Sequence, residues 1–469
     1  MSKILCCLLH FTNFFCRPKI IFLNTYLRDI LKLSWPIIIG QIGIVLTGFF
    51  DSLMVGYLGH EELAAAGISN SIYFLVAVFP LGVTISYSTI ISMLQGKNKT
   101  SSYSIVARDC FVMTLALSAV ASLVILGIIY NFGMFKQTDV VAQLSIPYLK
   151  LLLWSLTPML FFLFSKQLCD GFGYTKGGMV ITLIALLINI FFNWLLIYGN
   201  WGFQAYGLNG AGYATIISRI FLAIAMTYLL FKSKQTPIRY PDFINSFKRP
   251  SRIYFYKQII RLGFPSGLQY FFEVAAFAAA AIMAGWIGAK ELAAHNLAIT
   301  LASLTYMIAS GISAGSSICT AKAYGNGNRH NMRQYGIMGH KLGIGVMLFF
   351  ALLFFIFNHQ LASLFTQEPE VILMGSQLLI LAAIFQLGDG LQALSVGLLR
   401  GINDVSIPSL LIFIAYWIIA MPIGYTLSHS TNTYSFLQGV NGIWIGLSIG
   451  LTLSAIVLTS RFYYLLRKS

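Results

Sequence analysis

Uncharged stretches of about twenty or more residues, some broken by a single acid, recur along the whole chain; 33–59, 262–289 and 371–399 are three of them. As helix at about 1.5 Å per residue, each spans the roughly 30 Å hydrocarbon core of a bilayer. Lipid offers the backbone no hydrogen bonds, so such segments must be helices or parts of a closed barrel, and runs this long and continuously apolar fit only helices. Spans are expected near 34–58, 68–94, 108–131, 146–168, 178–199, 209–231, 262–288, 297–322, 338–358, 373–398, 408–429 and 440–464. Composition agrees: 58% of residues are hydrophobic and 9% charged, against about 45–50% apolar in soluble domains. The expected fold class is an all-α polytopic membrane protein with twelve transmembrane helices. Pro80, Pro158 and Pro422 fall inside spans, where a lost backbone bond kinks a helix, whereas Pro36 and Pro265 suit first-turn positions.

A formal net charge of +16 would suit nucleic acid, but the basic residues follow topology instead. Lys3, Arg17, Lys97, Lys99, Arg108, Lys166, Lys176, the segment 232–261, Lys322, Arg329, Arg333, Arg400 and Arg461 all fall on one side of the twelve-span reading. The other side holds Lys136, Lys150 and Lys290 among Glu61, Glu62, Asp139, Glu291, Glu368 and Glu370. The positive-inside rule then puts both termini in the cytoplasm, with the chain crossing a cell (inner) membrane many times. Arg219 lies well inside the sixth span and either snorkels or lines a polar interior. Six cysteines, at 6, 7, 16, 110, 169 and 319, lack paired ligand spacing, so disulfides and zinc are not expected. Residues 1–33 read as an interfacial extension in which Cys6 or Cys7 is a candidate for palmitoylation.

The chain repeats. An offset of about 229 residues lays Leu33–Pro36 on Leu262–Pro265, Gly56 on Gly285, Gly59 on Gly288, and Glu62-Leu63-Ala64-Ala65 on Glu291-Leu292-Ala293-Ala294. Further along, Gly82 meets Gly311 and Gly96 meets Gly325. Six spans return the chain to its starting side, so the repeats are parallel and make two pseudo-symmetric six-helix bundles about an axis along the membrane normal. The expected division is an extension 1–33, one lobe 34–231, a basic linker 232–261, a second lobe 262–464 and a tail 465–469.

Three acids sit mid-span: Asp51, Glu273 and Asp389. A mid-helix acid costs roughly 2.5–3.5 kcal/mol on insertion scales, so such residues usually line an ion or substrate path. The repeat fails at these positions, since Asp51 falls on Ala280 and Glu273 on Ile44, which makes the lobes chemically different. Carboxylates bind hard cations directly and hold protons more tightly out of water. Asn189 and Asn193 lie one turn apart on the fifth span, where their amides can reach Asp51 or serve helix packing alone. Gln269, one turn before Glu273, and Gln386, beside Asp389, are secondary candidates.

The stretch "FFDSLMVGYLGHEELAA" (49–65), "FFEVAAF" (271–277), "AAIFQLGDG" with "LLRGIND" (382–404), "LAAHNLA" (292–298) and "NIFFNWLLIYG" (189–199) closely resemble multidrug and toxic compound extrusion transporters of the NorM-like branch. The resemblance implies export of small organic, often cationic, compounds against inward Na⁺ or H⁺ flow, with no cofactor and a monomer in the bilayer. It implies Asp51, Asn189 and Asn193 as the N-lobe site. Glu273 with Asp389 is implied as the C-lobe cation site, and as the Na⁺ ligands if sodium couples. One departure is Phe385, where the family often carries a tyrosine beside the cation.

Two rivals remain. A flippase for lipid-linked saccharides shares the two-lobe plan, but a pyrophosphate favours Arg and Lys in the cavity. An intramembrane aspartyl protease would need a Gly-x-Gly-Asp signature, and Gln386 occupies the first glycine. No Walker-type phosphate loop occurs, so energy is expected from a gradient.

Overall fold

A computed structural model describes residues 25–248, 253–429 and 438–468. The first part of the extension, with Cys6, Cys7 and Cys16, lies outside the described residues. Twelve described helices are long and apolar enough to cross a membrane: α1 Thr25–Gly56, α2 His60–Gly96, α3 Tyr103–Tyr130, α4 Asp139–Gly171, α5 Lys176–Tyr198, α6 Leu208–Lys232, α7 Ile253–Ile287, α8 Ala289–Gly325, α9 Arg329–Ile356, α10 Pro369–Gly401, α11 Ser406–Ser428 and α12 Gly439–Lys468. Several begin earlier than hydropathy suggests, because polar turns at a bilayer edge lower the apolar average without breaking helix periodicity. Pro36 and Pro265 are accordingly well inside α1 and α7 rather than in their first turns. Within α11, residues Ile414–Ala420 form a π-helical segment immediately before Pro422. Pro422 lacks an N–H and its ring crowds the carbonyl four residues back, at Ile418, so local widening of the helix is the expected relief.

The repeat is visible in the packing. One apolar core is built almost wholly from α1–α6 and a second from α7–α12. The N-terminal turns of α2 and α8 match, with Leu63 N–H donating to Gly59 O at 3.2 Å and Leu292 N–H to Gly288 O at 3.1 Å.

The two halves meet at the end that carries the basic loops, through α1, α2, α7 and α8. Glycines set the approach: a Cβ on Gly82 would lie 2.8 Å from Gly267 Cα, and one on the equivalent Gly311 would lie 3.2 Å from Ile38 Cα. A Cβ on Gly96 would lie 2.9 Å from Gly325 Cα. A latch beside this seam joins α1 to α9: Tyr335 donates to Asp29 (3.0 Å), Tyr26 donates to Asn331 (3.0 Å), and the two tyrosine rings meet edge to face at 5.0 Å. Toward the opposite end Phe49, Leu53 and Tyr57 of α1 and Ile282 and Trp286 of α7 are exposed.

Candidate functional site

In the first half, α1 carries Asp51 against α5 and α6. Asn193 Nδ2 donates to Asp51 Oδ1 at 2.5 Å and to Asn189 Oδ1 at 3.2 Å, and Thr215 Oγ1 donates to Asp51 Oδ2 at 3.4 Å. The one-turn spacing of the asparagines thus builds a relay ending on the acid. Asn189 Nδ2 and Asn193 Oδ1 have no protein partner although both are buried. Asp51 borders a cavity of about 350 Å³ that also touches Asn70, Tyr73, Tyr148, Thr215 and Arg219. Of the two readings of Arg219, the polar interior is the observed one: its Nη1 donates to Tyr73 Oη (2.5 Å) and Ser155 Oγ (2.6 Å). Replacing Asn193 with Leu strands an acid oxygen, and about 1–3 kcal/mol of stability should be lost. A thermal unfolding curve in detergent reads this directly; a midpoint equal to wild type would show that the relay contributes nothing.

In the second half, Glu273 of α7 and Asp389 of α10 lie within electrostatic reach of each other, and both are buried. Gln269, Tyr270, Glu273, Tyr306 and Arg400 border a cavity of only about 10 Å³, near the minimum for one water. Gln269 Oε1 is buried and unpartnered. Gln386 instead turns away to donate to Thr305, so its amide serves the contact between α8 and α10. Phe385 packs on Trp444 (5.4 Å between centroids) and Phe277 (6.1 Å). Phenol oxygens come from elsewhere: Tyr306 on α8 and Tyr416 on α11 both lie in the field of Glu273 and Asp389, and Gln392 Nε2 donates to Tyr416 Oη at 3.3 Å. Tyr416 sits inside the π segment. Neither tyrosine stands out in a sequence so rich in aromatics.

Arg400 corrects the sequence reading, which put it in a loop: it is buried in the last turn of α10, its guanidinium 6.0 Å from the Tyr270 ring and in the field of Glu273. Arg108 and Lys166, at the inner ends of the predicted spans, are buried in helices and paired with Asp109 and Asp170, each at 2.7 Å. A basic residue near a span end reads as loop under the positive-inside rule, and only packing reveals a buried partner. None of the salt bridges among the described residues includes Asp51, Glu273 or Asp389. No group of three or more His, Cys, Asp or Glu converges among the described residues. The oxygen set of two carboxylates, an unpartnered amide and phenols suits a proton or a hard monovalent cation.

Two helical bundles with buried mid-span acids and a seam at one end have the plan of a membrane transporter of the two-lobe type. The MatE family model matches residues 36–195 and again 265–426, one match in each half, the second starting where the repeat places Pro36. The chain is 31% identical over 445 residues to the multidrug resistance protein NorM of Vibrio vulnificus, covering 94% of this chain and 96% of that protein. Its fold matches a crystal structure of MATE in the straight conformation (TM-score 0.85, 23% identity, 95% of this chain and 98% of that one). It also matches an outward-facing multidrug resistance MATE family transporter of the MOP superfamily (TM-score 0.82, 22% identity, 95% and 97%). The chain belongs to the MatE family, as its sequence motifs indicate.

Proposed function

We propose that the chain is a secondary antiporter that exports organic, cationic compounds in exchange for Na⁺ or H⁺ by alternating access, working as a monomer with both termini in the cytoplasm. The observation that carries this reading is the set of three intramembrane acids free of direct ion pairs, with Asp51 bordering an open cavity. An acid kept within a membrane without a bonded counter-ion is suited to exchanging one. The cycle follows from what each ligand prefers. With the basic-loop end closed along its glycine seam, substrate leaves toward the opposite end while a cation or proton enters the Glu273–Asp389 site. Binding there must favour one arrangement over the other to drive the exchange. Arg400, in the field of Glu273, competes with the incoming ion for that carboxylate.

The rival flippase reading gains Arg219 as a basic cavity residue. Asp51 borders the same cavity and would repel a pyrophosphate, so the exporter reading stands. Rates for a cationic dye in proteoliposomes, measured across pH, test the role of Asp51. The Asp51→Asn variant should either have a flat pH profile or lose cation transport; a profile like that of wild type would leave Asp51 a structural residue.

A further inference from the structure

We propose that a groove between α1 and α9 is a lipid site, which seats one acyl chain of an anionic phospholipid from the leaflet on the basic-loop side and pairs its phosphate with Lys341. Along α9, Met338, Lys341, Leu342, Gly345, Val346 and Phe349 recur at three- and four-residue spacings, so they share one helix face. That face, with Leu27 of α1 and Ile308 of α8, borders a groove of about 620 Å³. From Met338 to Phe350 it runs about 18 Å along the helix, close to the roughly 15 Å of hydrocarbon in one leaflet. Its floor is open, because a Cβ on Gly345 would meet nothing within 4 Å.

Charge selects the occupant. Lys341 is the one charged residue bordering the groove, and it lies toward the basic-loop end, away from Phe349 and Phe350. It is exposed and belongs to none of the salt bridges among the described residues. A lysine at that depth extends its amine along an apolar stem to the headgroups, where a lipid phosphate is the available anion. Beside Leu27 on α1, Arg28 is exposed and Asp29 already accepts from Tyr335. The mouth of the groove is therefore basic, and a zwitterionic headgroup would bring a second cation to it. Leu27 belongs to one half of the chain and the other bordering residues to the other half. A seated acyl chain thus touches both halves beside the latch, since Tyr26 precedes Leu27 and Tyr335 lies one turn before Met338. It should favour the arrangement in which the basic-loop end is closed. That consequence rests on the alternating-access reading; the binding does not.

Native mass spectrometry of the purified full chain reads the binding, with phosphatidylglycerol and phosphatidylcholine of identical acyl chains as probes. Wild type should hold phosphatidylglycerol about fivefold more tightly, the share of one lysine at an anionic surface. Lys341→Gln should erase that preference. Gly345→Leu fills the groove without meeting the protein, so its thermal midpoint should match wild type or exceed it while the tightest-bound lipid is lost. Equal retention of the two lipids by wild type, a preference that survives Lys341→Gln, or undiminished binding in Gly345→Leu overturns the proposal and leaves only ordinary bilayer contacts. Ser34, buried on α1 beside Gly315 of α8, reports the bridging. In phosphatidylcholine nanodiscs, thiol labelling of Ser34→Cys should slow about fivefold or more when phosphatidylglycerol is added, and labelling indifferent to that lipid overturns the bridging. Dye export is not the readout in any arm, so failure here is distinct from failure of the exporter reading.

Discussion

Replacing Asp389 with Asn should remove most gradient-driven efflux, with a loss of up to about 150-fold, while the protein inserts and folds at least as well as wild type. The size follows from coupling energies, which are typically about 1–3 kcal/mol, or about 5- to 150-fold. Asn is nearly isosteric but cannot take up a proton and is a poor ligand for a cation in place of a carboxylate, so ion binding no longer favours either arrangement. An ion that binds both arrangements equally shifts nothing. Stability should hold because Asp389 is buried beside the like-charged Glu273 and has no basic partner. Glu273→Gln is the contrasting case: it also removes coupling, but it withdraws the negative charge in whose field the buried Arg400 sits, so it should cost more stability than Asp389→Asn. Paired unfolding and efflux measurements should therefore give a stable, uncoupled Asp389→Asn and a destabilised, uncoupled Glu273→Gln. Undiminished efflux in Asp389→Asn would remove that acid from the mechanism.

The second large effect lies at the glycine seam. A Cβ on Gly325 would press on the Met93 carbonyl and lie 3.0 Å from Gly96 Cα, and these are backbone atoms that no rotamer change can move aside. Gly325→Val must therefore push α8 from α2. Overpacking of this kind costs about 1–3 kcal/mol, and the cost falls on the arrangement in which this end is closed. The variant should shift toward opening at the basic-loop end and slow export by about tenfold or more. Ser34, fully buried on α1 and beside Gly315 of α8, reports the shift: thiol labelling of Ser34→Cys should accelerate when Gly325→Val is added. Gly127→Val on α3 is the control, because a Cβ there meets nothing within 4 Å. Unchanged labelling with wild-type export would mean that the seam does not open during transport.

Much of this architecture is legible in the sequence because lipid leaves so few options. Long apolar runs specify helices, and the offset that lays Gly82 on Gly311 and Gly96 on Gly325 marks the glycines that later prove to line the seam. Helix ends are less legible, as Pro36 and Pro265 show, since hydropathy marks the hydrocarbon region and not where hydrogen bonding stops. The acids and Asn193 stand out because polar groups in apolar spans are rare. Arg400, Tyr306 and Tyr416 do not, because a basic residue at a span end and tyrosines in an aromatic-rich chain are unremarkable until packing puts them around Glu273. The π segment before Pro422 is likewise a three-dimensional response to one missing N–H, with no pattern of its own.

The central claim is that an ion gradient across acid-lined interiors drives export, and proteoliposomes holding a cationic aromatic dye test it most directly. With a Na⁺ gradient and a pH gradient imposed separately, dye should move against its own gradient under at least one of them, stay put when neither is imposed, and remain indifferent to ATP. Dye movement that ignores both gradients, or that requires ATP, would contradict the account.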